Sequence, residues 1–388
     1  MVRRADVVAR IDHAGRSVGK RFTSKLHDTR IAATLGIALG VSFTVCFVTG
    51  LLSHLIQHPP SWFDWPSRPA GLYRITQGVH VTTGFMAVPL LLAKLWVVAP
   101  RLWTWPPVRS IAHLLERISI VPLVAGSVFM LFSGIANVAR WYPYDFYFPS
   151  AHFAVAWVTI GALIAHIGAK ITLTRATLRR SPQAQLVTAS RMDRRTFIGG
   201  VAATSGLVVL ATAGGTVGPI SGISALAQRI PGDGPQGVPV NKSSTAAGVR
   251  AAAQSADYRL VVHGAVKTPL SLTLADLQAM TLHSADLPIA CVEGWSRSAQ
   301  WSGIRVRDLL ALSGAADDAQ VTLESLERGS RYRHSDLTSE QAHDRDTLLA
   351  LELNGDPLHL DHGYPLRLIA PNRPGVMQTK WVTKVTVR

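Results

Sequence analysis

The chain has 388 residues, 48% of them hydrophobic, and a formal charge of +15. That length suits two domains rather than three. The charge is lopsided: residues 228–388 carry 17 basic and 17 acidic side chains, and residues 1–227 carry 22 and 7. A nucleic-acid binder keeps its basic excess on a folded surface. Here the excess sits beside apolar runs, so the expected partner is a lipid bilayer and no nucleic acid is expected.

Five apolar stretches, at about 31–57, 76–99, 118–139, 150–173 and 196–217, are long enough to cross a bilayer. Basic residues alternate between the connections: eight in 1–30, two in 58–74, three in 100–117, one in 140–150 and seven in 170–195. The positive-inside rule then makes this a multi-pass plasma-membrane protein. Its N-terminus is cytoplasmic, and everything after the fifth span is extracytoplasmic. Trp62, Trp65, Trp103, Trp105 and Trp141 flank the spans as interfacial anchors. The expected divisions are a basic N-terminus (1–30), a four-helix membrane domain (31–175), a basic loop with the fifth span (176–227) and an outer domain (228–388).

Histidines inside spans are rare and mark function. His54 ends the first span, His80 opens the second and His152 opens the fourth, which puts all three near the outer face. His166 lies deeper; 14 residues of helix rise about 21 Å and make nearly four turns, so it shares a face with His152. This layout resembles the four-helix b-type cytochromes. The resemblance implies haem b, with His80 and His152 as iron ligands and His54 as their competitor. An inner haem would pair His166 with His27. Lys94 either snorkels to the inner surface or serves a quinone site.

The fifth span opens on Arg194-Arg195-Thr196-Phe197-Ile198 and a Gly/Ala-rich run. It resembles a twin-arginine export signal, which implies export of a domain already folded around a cofactor. Two ordinary positive-inside arginines are the alternative. Ala225-Leu226-Ala227 has the small residues of a cleavage site, but cleavage would part the chain in two, and retention as an anchor is expected.

After this span, "RIPGDGPQGVPVNKSS" reads as a linker. From about residue 258 short strands take over. "YRLVVHG" and "QVTLESL" alternate, Asn354-Gly355 marks a hairpin turn, and "KWVTKVTVR" is a last strand. The helical pieces "TLADLQAM" and "RVRDLLALSG" are brief. The fold class is therefore an all-α membrane bundle of about five helices followed by a β-rich α+β domain.

Cys291 is one of only two cysteines, and Cys46 lies within the first span, so Cys291 has no disulfide partner in the outer domain. Such a thiol is a reactive group, a ligand or a small buried apolar residue. Its context, "CVEGWS" followed by "WSGIRVRDLL", resembles the molybdenum-binding segment of the sulfite oxidase family, closest to the periplasmic methionine sulfoxide reductase branch. "DHGYPLRLIAPNRPGVMQTKWVTKV" resembles that family's pterin-binding stretch, and Asn241 in "PVNKSS" falls where the pocket begins. The resemblance covers about residues 237–388. It implies a molybdopterin cofactor with Cys291 as the thiolate ligand of molybdenum, a soft donor suited to that metal. Asn241, His362, Gly363, Arg367, Gly375 and Lys380 would hold the pterin and its phosphate.

The sulfite oxidases carry anion-holding arginines after this cysteine. Here those positions are Glu293, Gly294, Trp295 and Ser296, which disfavours a dianionic substrate, although Arg297, Arg331 and Arg333 stand within reach in sequence. Glu293, Trp295 and Tyr332 are the catalytic candidates beside Cys291. The expected function is a molybdenum-dependent oxidoreductase that exchanges electrons with the quinone pool through haem b and reduces a small S-oxide or N-oxide. One alternative is a dehydrogenase of sulfite or another small molecule that passes electrons inward. The other is a non-catalytic receptor with a ligand-binding β domain.

Overall fold

A computed structural model describes residues 22–102, 111–179, 193–230 and 232–388. Trp103 and Trp105, most of the basic N-terminus and part of the loop before the fifth span lie outside the described residues. Five long helices come first: α1 (Thr29–Gln57), α2 (Leu72–Leu102), α3 (Ile111–Ala139), α4 (Phe148–Arg179) and α5 (Arg194–Thr212). All five are long and apolar enough to cross a membrane. The 29 residues of α1 rise about 43 Å, against a hydrocarbon core of roughly 30 Å. Two aspartates set the helix starts: Asp28 Oδ1 accepts from the Arg30 N–H at 2.7 Å, and Asp193 Oδ1 accepts from the Thr196 N–H at 2.7 Å.

The described residues fall into two compact units, one within Met1–Gly50 and His80–Ala211, the other within Leu51–Val79 and Thr212–Arg388. The second unit thus takes in residues 51–79 and 212–227, which the sequence reading assigned to the membrane parts.

After the one-turn helix α6 (Arg250–Ala253), the second unit is built on β1 (Arg259–Gly264), β2 (Leu270–Thr273), β3 (His283–Cys291), β4 (Trp295–Arg305), β5 (Val321–Ser325), β6 (His334–Leu337), β7 (Leu348–Leu353), β8 (Asp356–Pro357), β9 (Arg367–Ile369) and β10 (Val382–Val387). One sheet has the order β2-β1-β10-β5-β6; the other has β3-β4-β7-β8, with β9 also on β7. β10 runs parallel to β1 and antiparallel to β5. Asn354-Gly355 turns β7 into β8, as their dipeptide signal requires, with positive φ at both residues. Helices α7 (Leu274–Ala279), α8 (Val306–Ser313) and α9 (Ser339–His343) are short. Capping boxes start α7 (Thr273 with Asp276) and α9 (Thr338 with Gln341), and Gly314 ends α8 at φ 67°.

Two apolar clusters fill this unit. Leu260, Val262, Leu309, Val321, Leu349 and Val385 belong to one. Leu287, Ile289, Trp295, Trp301, Leu348 and Ile369 belong to the other, which also holds Cys291. The alternation read in the sequence is the burial pattern of β5, where Val321, Leu323 and Ser325 point inward.

The stretch expected to be a linker is packed. Val238 is buried in the Cys291 cluster. Gln236 bonds at both ends of its side chain, donating to Leu353 O at 2.9 Å and accepting from the His359 N–H at 2.9 Å.

Residues 58–74, from the end of α1 into the first turn of α2, are also held within this unit. Asn372 meets them with all four of its polar groups. Its N–H donates to Ala70 O at 3.0 Å, its carbonyl accepts from Trp65 Nε1 at 2.8 Å, its Oδ1 accepts from the Tyr73 N–H at 2.7 Å and its Nδ2 donates to Pro66 O at 2.7 Å. Arg68 forks onto Asp344 at 2.8 and 3.0 Å and reaches Asp346. Ser67 donates twice to Glu340, and Arg74 donates to Ser298 Oγ at 2.9 Å.

Candidate functional site

Cys291 ends β3, and Gly294, at φ 75°, turns the chain so that Trp295 opens β4 opposite it. The thiol is buried. Asn241 Nδ2 donates to its Sγ at 2.7 Å, and the Glu293 N–H approaches the same sulfur at 3.4 Å. Trp295 Nε1 donates to Asn241 Oδ1 at 2.8 Å and holds the amide in that orientation. Burial first, and the Glu293 carboxylate second, push the Cys291 thiol up to about 12. The two N–H groups and the Arg229 guanidinium act in the opposite direction. This is a sulfur surrounded by donors yet held protonated by its low-dielectric setting. A metal cation bound to this sulfur would displace that proton.

A cationic wall comes from the stretch 359–381. Arg367 is buried, with Nη1 on His362 O at 3.1 Å and its guanidinium 5.2 Å from the Trp301 ring centroid. Its Nε finds no hydrogen-bond partner among the described residues. Lys380 Nζ donates to Lys242 O at 2.8 Å and Asp361 O at 2.6 Å. Burial, then the neighbouring Arg367, push its ammonium down to about 7. Burial, then Arg367 again, push His362 down to about 4, and its ring bonds Pro235 O at 2.7 Å.

Gly363, at φ 114°, lets the backbone pass between two of these residues. A Cβ there would stand 3.1 Å from the Cβ atoms of both Arg367 and Lys380. Gly375 sits against β3, where a Cβ would meet Ile289 Cγ2 at 3.1 Å and Ala290 O at 3.3 Å. These features fit a phosphate-bearing pterin. Two crowded cations, one orphaned guanidinium nitrogen and a glycine-exposed backbone are an anion site. Asn241, His362, Gly363, Arg367 and Lys380 would hold the cofactor, with Gly375 packing behind the Cys291 strand.

Tyr332 is half-buried in the β5–β6 connection, with its N–H on Ser330 Oγ. Arg297 and Arg331 are exposed, and Arg333 pairs with Glu324 at 3.7 Å. The sequence reading missed Arg229, which pairs with Glu293 at 3.8 Å and donates to Val240 O at 3.1 Å. It also missed the ion pair of Lys242 with Glu327. Both basic residues stood in the stretch taken as a linker, so neither had a periodic pattern to flag it.

The first unit holds a separate arrangement. His80 on α2 and His152 on α4 stand with ring centroids 6.3 Å apart and planes at 68°. His80 Nδ1 lies 2.9 Å from Cys46 O and 3.1 Å from Thr49 Oγ1. A carbonyl only accepts, so Nδ1 carries the proton and Nε2 keeps its lone pair. His152 Nδ1 lies 2.8 Å from Ser133 Oγ, whose own hydroxyl donates to Phe129 O at 2.7 Å, which gives the same tautomer.

Two imidazoles on one metal, each bonded at about 2.0 Å, have centroids about 6 Å apart. Gly50 packs against the His80 ring, 3.0 Å from a built Cβ, and Gly134 lies beside His152 at 3.6 Å. The pair therefore fits bis-histidine ligation of haem, with second-nitrogen bonds that set each ring. His54 stacks instead on His58, at 4.6 Å. His27 bonds Val97 O at 3.2 Å and packs on Trp96. His166 stays on α4, 14 residues beyond His152. Lys94 donates to Ala32 O.

Comparison with known proteins finds matches over the C-terminal part of the chain. Residues 246–388 match the family described as oxidoreductase molybdopterin binding domain. The chain is 32% identical to mitochondrial sulfite oxidase of Drosophila melanogaster over 156 residues, covering 34% of this chain and 27% of that one. It is 31% identical over 128 residues to the uncharacterized oxidoreductase YuiH of Bacillus subtilis, covering 32% and 62%. Among solved structures it matches the sulfane dehydrogenase SoxCD from Paracoccus pantotrophus, at 26% identity and a TM-score of 0.32, covering 34% and 38%. The chain thus spans about a quarter of the length of the fly relative.

Proposed function

We propose, for a chain whose C-terminal part is a sulfite oxidase-type molybdopterin oxidoreductase domain, that the whole protein is a membrane-anchored molybdenum oxidoreductase. It exchanges electrons with the quinone pool through haem b and reduces a small S-oxide or N-oxide. The observation that carries this reading is the buried Cys291 sulfur, with Asn241 Nδ2 2.7 Å away, in a domain whose cationic wall leaves Arg367 Nε unpartnered among the described residues. The match to an oxidoreductase domain sets the receptor alternative aside.

When bound, the molybdenum centre supplies two-electron oxygen-atom transfer. The protein's part is to hold, orient and exclude. With the metal bound, Asn241 and the Glu293 N–H would stabilise the sulfur as thiolate, Trp295 would fix the amide, and Arg367 and Lys380 would hold the pterin phosphate. The Glu293 carboxylate stands two residues from the metal ligand, and its charge opposes a dianion and tolerates a neutral oxide. His80 and His152 would hold haem b, which supplies one-electron transfer. Their Nδ1 bonds keep each Nε2 available as donor to iron.

A second reading, oxidation of sulfite with electrons passed inward, draws support from the identity to a sulfite oxidase. Activity on sulfite against activity on an alkyl sulfoxide separates the two.

The test uses detergent-purified full-length protein, its molybdenum content and its reduced-minus-oxidised spectrum. Wild type is expected to hold molybdenum and a low-spin b-type haem. Cys291→Ser should insert in the membrane and lose turnover. His80→Ala and His152→Ala should each lose the low-spin haem signal. Full activity in Cys291→Ser, or a normal haem spectrum in both histidine variants, defeats the corresponding assignment.

A further inference from the structure

Residues 213–229 lie between the fifth span and the region that matches the family. The fifth helix resembles a removable leader, and Ala225-Leu226-Ala227 is a cleavage-like sequence. Leu226 is 64% exposed, so a protease could reach it. Two sets of contacts argue against removal.

Within the first unit, the twin-arginine region is integrated. Arg194 pairs with Asp28 at 3.6 Å. Phe197, Ile198 and Val201 pack against a buried cluster of Ile31, Ala32, Leu35, Leu90 and Val97. A leader destined for removal has no need of such a seat.

Within the second unit, the chain leaves α5 through a 3₁₀ turn, Ala213–Gly215, whose three residues are all buried. Gly214 lies so close to the next turn that a Cβ there would collide with Ser224 Cβ and stand 2.8 Å from Ser221 Cα. Gly215 meets the Cys291 site itself. A Cβ there would stand 2.8 Å from Arg229 O, 3.0 Å from Gly294 O and 3.8 Å from Trp295 Cβ. Gly294 and Trp295 form the turn that follows Cys291. Arg229 continues the bracket, with one guanidinium nitrogen on Val240 O, beside Asn241, and the other 3.8 Å from Glu293. Thus Gly215 abuts both the metal-binding turn and the arginine that ties its two flanks together.

We propose that residues 213–229 are a permanent bracket of the Cys291 site, in which Gly215 and Arg229 are positioning residues for the 291–295 turn and for Asn241, and that the chain works uncut. This rests on the molybdopterin reading above. Both residues act through others, because neither touches Cys291 Sγ by hydrogen bond. A side chain at position 215 must push the turn or the Arg229 backbone away, since both obstacles are carbonyl oxygens that cannot swing aside. Displacement of a donor by a fraction of an ångström is enough to lower turnover by about tenfold or more.

The experiment compares full-length chains tagged at both ends. The readouts are pterin content, molybdenum content, the Mo(V) electron paramagnetic resonance spectrum and turnover. Gly232→Val is the control, because position 232 lies outside the bracket and no described atom lies within 4 Å of a Cβ there. It should match wild type. Gly215→Val should keep its pterin yet show altered Mo(V) g values and about tenfold lower turnover. Arg229→Gln should shift the same spectrum, and Arg229→Lys should restore it in part. Arg229 variants decide the matter if Gly215→Val does not fold. Active protein should carry both tags. Unaltered spectra in Gly215→Val and Arg229→Gln overturn the bracket, as does active protein that has lost its N-terminal tag. Wild type without molybdenum removes the parent reading, and this one with it, and is distinguishable because it appears before any substitution is made.

Discussion

At the scale of single residues, the wall of His362, Arg367 and Lys380 is a set of groups whose hold on a proton is weakened by burial. His362 is the one whose consequence is simplest to measure. Its folded-state value near 4 lies below the ordinary value. Above about pH 6.5 the ring is neutral in both folded and unfolded chains and contributes nothing. As pH falls from there toward 4, the unfolded chain takes up a proton that the fold refuses, so stability drops. At about 1.4 kcal/mol for each pH unit crossed, the loss approaches roughly 3 kcal/mol by about pH 4. His362→Gln keeps a donor for Pro235 O and cannot titrate. Thermal midpoints of the two proteins, measured from about pH 7 to about pH 4, should show a shallower fall for the variant; parallel curves would mean that His362 is not held neutral. Cys291 stood out as a candidate at this scale because it is rare and stands between a strand and a Gly-Trp turn, and the fold buries it at the end of that strand. Arg229 was not legible, because an arginine in a Gly/Pro-rich stretch has nothing in its neighbourhood to show that it will bend back onto Glu293.

At the scale of elements, length and period located the five helices and the main strands. They could not locate the tie of residues 58–74 to the oxidoreductase domain. That tie rests on hydrogen bonds such as Trp65 Nε1 to Asn372 O, spanning 307 positions of sequence, and no periodic pattern records a contact of that kind. Asn372 sits at φ 57°, a conformation that costs a residue with a Cβ about 1–2 kcal/mol unless its side chain compensates. Its side-chain bonds to Tyr73 N and Pro66 O are each worth about 0.5–1.5 kcal/mol. Asn372→Gly should therefore lose about 1–3 kcal/mol and Asn372→Ala about 1 kcal/mol more. The order wild type, Gly, Ala in thermal midpoint, together with easier proteolysis within residues 58–74, is the expected outcome. An Ala variant more stable than Gly would show that the backbone conformation is not what the position demands.

For the whole molecule, the distribution of charge predicts an arrangement across a membrane. By the positive-inside rule, the basic excess before residue 228 and the balance after it would place the oxidoreductase domain outside. A fluorescent protein fused ahead of residue 30 should fluoresce, and a phosphatase that works only outside the cytoplasm should be active when fused after residue 388. The reverse pattern would invert the topology and put the Cys291 site in the cytoplasm. The division into two units is the part of the architecture that sequence segmentation drew differently. Hydropathy assigns every residue near a span to the membrane domain, whereas the hydrogen bonds of residues 58–74 end on Asn372, Glu340 and Asp344.

The position of β10 sets an order of events in time. It lies in the middle of its sheet, with β1 on one side and β5 on the other. Until residues 382–387 have left the ribosome, β1–β2 and β5–β6 are two isolated hairpins, and such hairpins are marginal in water. Its β1–β10 side closes through pairings more than 100 residues apart, such as Val261 with Lys384, and contacts of that span form slowly. This domain therefore cannot acquire its native sheet until residue 387 has been made, so nascent chains must be kept from aggregating for that interval.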